Sequence, residues 1–152
     1  MSKLKTFSKY WLPVILWVVV IVSASGDTKS VQRSSRIIEP LVRWLFPHAS
    51  DETVRTVVFV GRKWAHVTEY AILALLVWRA RRGFGKNPPA GWSRRDAWIA
   101  WAAATGFAVT DELHQTFVPG RQGSGWDVLI DAIGAAGGLF ALWLFGRRRK
   151  RW

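Results

Sequence analysis

The chain has no cysteine in 152 residues, which excludes a disulfide framework and any thiolate-held zinc or iron–sulfur centre. Acidic residues are scarce: 10 Asp and Glu face 22 Lys and Arg, for a formal net charge of +12. Long uncharged runs are also few. Ala97–Thr110 has 14 residues and Ala132–Gly146 has 15, both below the roughly 18 of a plain membrane-spanning helix. The chain shows no internal repeat and no nucleotide-binding glycine loop. What it does have is apolar content of 50% with eleven Trp, which excludes a disordered basic tail.

So basic a small protein suggests nucleic acid, but the placement of the charge points elsewhere. Four apolar stretches run over about 11–24, 64–78, 97–118 and 126–145, with a basic tail at 147–152. If they are membrane helices, the segments between them alternate sides. One side then holds Lys3, Lys5, Lys9, the loop Arg79–Arg95 and the tail, 14 basic residues against the single acid Asp96; the other holds 8 basic and 9 acidic residues. The whole excess lies on one side, as the positive-inside rule requires of a cytoplasmic face. Trp11, Trp64, Trp78, Trp126 and Trp143 fall near stretch ends, where an interfacial aromatic belt would lie. The expectation is one domain over 1–152: an all-α, integral membrane four-helix bundle, multi-pass, with both termini cytoplasmic and no nucleic-acid partner. A soluble helical domain is the competing reading.

The first stretch also fits a signal peptide, with Ser23-Ala24-Ser25-Gly26 as small residues for cleavage. A retained anchor needs the same charges, and retention is the expectation. In the long connection 25–62, Val31, Ile37, Ile38, Leu41, Leu45 and Phe46 recur at helical spacing, which suggests an amphipathic segment on the outer membrane surface. Pro40 interrupts it and argues against one continuous helix. Ser50-Asp51-Glu52 reads as a helix start, a capping oxygen followed by two acids in the positive first turn.

Polar residues inside the stretches carry the functional argument. Lys63, His66 and Tyr70 share a face at i, i+3 and i+7, Glu69 lies beside them, and Lys63 to Glu69 spans about 9 Å. Asp111 lies about 24 Å along its helix from Arg95, followed by Glu112 and, one turn on, Gln115. The last stretch carries Asp127 and Asp131. All of these fall toward the outer end, and intramembrane ionisable groups are functional by default. The intervening Val118-Pro119-Gly120-Arg121-Gln122-Gly123-Ser124-Gly125 is a tight turn whose only charge, Arg121, suits a carboxylate or phosphate. Ser124 and Asp127 are spaced for a capping box, the bland role for Asp127. Five carboxylates against Lys63, Arg121 and a titrating His66 leave charge to be relieved by a held proton, a metal ion or a cationic partner, unless internal salt bridges absorb it. Lys63 beside the cluster and the lack of a His-Glu-x-x-His pair argue against a metal, and His114 belongs to another face. Gly134 with Gly138, and Ala102 with Gly106, make small-xxx-small pairs that would let helices three and four approach closely.

Lys63-x-x-His66-x-x-Glu69-Tyr70, then Asp111-Glu112-Leu113-His114-Gln115-Thr116-Phe117-Val118-Pro119-Gly120-Arg121, then Asp127-x-x-x-Asp131-x-x-Gly134, resembles the VanZ-like family of bacterial membrane proteins over about residues 11–145. The resemblance implies a small multi-helix protein of the bacterial envelope, in the cytoplasmic (inner) membrane, from a family whose name-giving member is tied to resistance to the glycopeptide teicoplanin. Many members have Asn where this chain has Asp131. The resemblance implies site membership for Lys63, His66, Glu69, Asp111, Glu112, Gln115, Arg121, Asp127 and Asp131, but supplies no roles. The expected catalytic candidates are His66, Glu69, Asp111 and Glu112. Lys63, Tyr70, Gln115, Arg121, Asp127 and Asp131 are the expected ligand-binding set, with no metal and no cofactor. Three functions stay open: a site for an anionic envelope lipid or lipid-linked cell-wall precursor, a proton-coupled transporter or flippase that would need an oligomer, and a scaffold with the cluster as helix glue.

Overall fold

The computed structural model describes residues 3–25, 30–84, 91–119 and 123–149. Among these the chain is all-helical: α1 (Lys3–Ser25), α2 (Ser30–Leu45), α3 (Asp51–Phe84), α4 (Arg94–Gln115) and α5 (Gly125–Arg148). Starts are set by side chains as well as by periodicity. The Thr53 N–H donates to Ser50 Oγ at 3.2 Å, and the Asp96 N–H to Ser93 Oγ at 3.2 Å, each relieving an orphan donor of a first turn.

The hub of the bundle is α3, against which all four other helices pack. Its 34 residues reach about 51 Å, so the expected second stretch is the C-terminal part of a longer helix. The core joins Tyr70, Leu73, Ala74 and Val77 of α3 to Val14 and Ile21 of α1, Ala100, Ala104 and Ala108 of α4, and Ala135 and Leu139 of α5. The stripe of three alanines at four-residue spacing on α4 leaves room for larger side chains opposite, such as Tyr70, whose ring lies 6.4 Å from that of Phe107.

Three expectations need correction. Gly134 and Gly138 serve the contact of α5 with α3, not with α4. A Cβ at Gly134 would lie 2.5 Å from the Val67 carbonyl oxygen, and one at Gly138 would lie 2.9 Å from Ala71 Cβ. Gly106 has open space within 4 Å, so its pairing with Ala102 marks no contact. The helix α2 continues through Pro40, because the lost hydrogen bond falls on the exposed side of the helix near Arg36. Finally, Trp78 is buried and stacks on Trp92 with centroids 5.4 Å apart, whereas Trp64 and Trp126 are well exposed, as belt residues would be.

Running antiparallel to the first turns of α3, α2 places Ile38 by Gly61 and Arg43 on Asp51 at 2.7 Å. That ion pair holds the Asp51 carboxyl below its ordinary range. Ile37, Leu41, Trp44 and Leu45 on the remaining faces are exposed.

Two helices are long and apolar enough to cross a membrane, Leu4–Ser25 and Gly125–Arg148. Little of either is buried in the protein, and Ile15, Leu16, Val19, Ile133 and Phe140 point outward. So much exposed large apolar surface is foreign to a water-facing fold. The other two expected stretches are helical but carry charges that keep them below the same measure. Basic groups gather at one end of the bundle: Arg79 donates to the Lys9 carbonyl, Arg81 pairs with Asp96 at 3.0 Å, and Phe7 meets Phe84.

Candidate functional site

The opposite end is where the polar residues meet, in two groups. The first ties α1 to α4. Asp111, Glu112 and Gln115 lie on one buried face, since 111, 112 and 115 follow the i, i+1, i+4 pattern of a helix stripe. Ser25, the last residue of α1, donates to Asp111 Oδ2 at 2.6 Å and accepts from Gln115 Nε2 at 2.9 Å. The same Gln115 amide reaches Asp111 Oδ2 at 3.1 Å and Glu112 Oε1 at 3.2 Å. The Ser124 N–H donates to Glu112 Oε2 at 2.8 Å. A Cβ on Gly123 would lie 2.3 Å from the Glu112 carbonyl oxygen, so only glycine lets the turn press this close. Asp111 and Glu112 are thus engaged carboxylates, suited to holding α1, α4 and the start of α5 together.

The second group joins α3 to α5. Lys63 Nζ pairs with Asp127 Oδ1, both partly exposed. This corrects the capping-box reading: Ser124 is the N-cap of α5 but makes no side-chain cap bond, its N–H goes to Glu112, and the Asp127 carboxylate that the box would have used is held by Lys63. One turn deeper, His66 Nδ1 stands 3.9 Å from Asp131 Oδ1 and 3.9 Å from Glu69 Oε2. These spacings are those of ion pairs and exceed hydrogen-bond length. Asp131 is 1% exposed, and neither of its carboxylate oxygens has a hydrogen-bond partner among the described residues. A buried carboxylate without such partners is costly as an anion.

Tyr70 is fully buried between the groups, within electrostatic reach of Asp111, Asp131 and Glu112. Its hydroxyl makes no hydrogen bond among the described residues. Glu69 and Asp131 likewise sense Asp111, so the two groups form one field of charge. His114 is exposed, on another face. Arg121, with Gly120 and Gln122, lies outside the described residues. Among the described residues no group of three or more His, Asp or Glu is placed to hold a metal ion.

Every described candidate therefore comes to this end of the bundle, but at different depths and with different degrees of engagement. Sequence reasoning missed two participants. Ser25 is legible in sequence only as a small residue in an apparent cleavage stretch. Trp17, whose indole N–H donates to the Glu69 carbonyl oxygen at 2.9 Å, gives no polar signal inside an apolar run.

The VanZ/LLP1 family model matches residues 10–146, which contains both polar groups and four of the five helices almost completely. Neither a curated protein nor a solved structure matches the chain. With nearly the whole length matched, the chain belongs to the VanZ/LLP1 family.

Proposed function

We propose that this membrane protein of the bacterial envelope binds or processes an anionic envelope lipid or lipid-linked glycan at the polar end of its bundle. In this reading that end faces outward from the cytoplasmic membrane. Both termini and residues 79–96 are cytoplasmic, and α1 is retained, since Ser25 completes the buried network with Asp111. The placement of the basic residues supports this orientation.

The observation that carries the chemistry is Asp131, buried without a hydrogen bond among the described residues and facing a histidine that Glu69 flanks at the same distance. Such a set can take up a proton on one carboxylate and pass it through the imidazole. Lys63 and Arg121 hold the anionic headgroup, while Asp111, Glu112 and Gln115 keep the helices in register. The hydrogen-bonding of that second set favours a structural role for it, so the scaffold reading covers half of the cluster.

The test is purified protein in liposomes supplied with a labelled polyprenyl phosphate or lipid-linked glycan. Saturable binding or conversion is expected, and its loss in Arg121→Ala. In cells, altered sensitivity to a teicoplanin-type glycopeptide is the matching phenotype. A protein that neither retains nor alters any such lipid defeats the reading.

A further inference from the structure

Between α3 and α5, on the outward flank of the bundle, runs an apolar groove of about 480 Å³. Val60, Lys63 and Trp64 form its upper mouth, and it descends past Ala71 and Gly137 to Ile72 and Gly138. Lys63 to Ile72 is nine residues, so the groove is about 13 Å deep along α3. Its mouth is shared with the candidate site, because Lys63 is the partner of Asp127.

Gly137 distinguishes the groove from ordinary packing. Gly134 and Gly138 must be small, since a Cβ on either would press into α3. A Cβ on Gly137 would meet nothing within 4 Å. Glycine inside a helix is unfavourable, and here no contact with the protein requires it. What its smallness does is keep the groove open.

We propose that this groove seats the first isoprene units, next to the headgroup, of a single-chain lipid phosphate of the polyprenyl kind, with the phosphate at Lys63. This rests on the lipid reading above and assigns the substrate's chain to a place. The Lys63 ammonium has three donors, and Asp127 takes one, which leaves donors for a phosphate at the mouth. One chain fits where two do not. Ile133, 60% exposed, stands as a ridge between this groove and the one between α4 and α5, and that second groove is lined toward Arg94 at the other end of the bundle.

The experiment measures thermal unfolding of the full chain in uncharged detergent with undecaprenyl phosphate, undecaprenol or phosphatidylglycerol. Undecaprenyl phosphate should raise the midpoint of the parent by several degrees, and the other two should not. Gly137→Leu should melt at or above the parent without lipid and lose the shift. Should Gly137→Leu fail to accumulate, Thr68→Trp fills the groove from the α3 wall and should lose the shift likewise. A full shift in the filled variant overturns the groove assignment and leaves the lipid reading standing. An equal shift from phosphatidylglycerol, lost on filling, overturns the single-chain occupant. No shift with any of the three lipids in the parent removes the lipid reading, and the groove's role with it.

Discussion

Asp111 and Asp131 are both aspartates with under 5% of their surface exposed, yet their surroundings differ in kind. Asp111 accepts from Ser25 and Gln115, whereas Asp131 has His66 at ion-pair distance and no hydrogen bond among the described residues. The first is hydrogen-bonded by the protein, and the second is buried without a hydrogen bond among the described residues. Sequence spacing located both, with Gln115 one turn on from Asp111, but could not tell them apart, because the other donor to Asp111 is Ser25, 86 residues away in the chain. Removing the Ser25 hydroxyl leaves a buried carboxylate short of a donor, at a cost of about 1–3 kcal/mol. Ser25→Ala should therefore lower the unfolding midpoint in detergent. An unchanged midpoint would mean that α1 is not fastened there.

At the scale of the helix, small residues were legible as a packing signal but not as to which partner they pack against. A four-residue spacing says that a helix can be approached closely, and the direction depends on how the bundle is wound around α3. Gly134→Leu should force α5 off the Val67 backbone and destabilise by about 1–3 kcal/mol. Gly106→Leu has open space and should fold normally, so unfolding curves of the two variants should separate. The pairing of α2 with α3 has its own signature. Asp51 is held below its ordinary range by Arg43, so the folded state binds fewer protons there than the unfolded chain. The contribution is present above the ordinary carboxylate range and is lost as pH falls through the depressed value. In Arg43→Ala the Asp51 titration, followed by NMR, should return to the ordinary range. The continuation of α2 through Pro40 was not legible, since proline breaks a helix only where the lost bond cannot be replaced by solvent.

For the whole molecule, the asymmetry of charge along the chain was the most legible feature, and the bundle converts it into two chemically distinct ends. Reporter fusions after Lys86 and within Gly120–Gly125 should report opposite compartments, the first cytoplasmic. Finding both in one compartment would end the proposed topology. The family, its helical class and the location of the polar end follow from ordered motifs over nearly the full length. The division of the cluster into a fastened half and a poised half needed coordinates, because it depends on distances between helices. Thermal unfolding of His66→Ala and Asp131→Asn, beside an assay of lipid binding or conversion, tests that division most directly. An amide at 131 replaces a buried carboxylate that has no hydrogen bond among the described residues. Both variants should insert and melt within a few degrees of the parent, while conversion or the matching envelope phenotype is lost. Stability and activity falling together in both variants, as expected if a buried ion pair worth roughly 3–5 kcal/mol had been broken, would contradict the division.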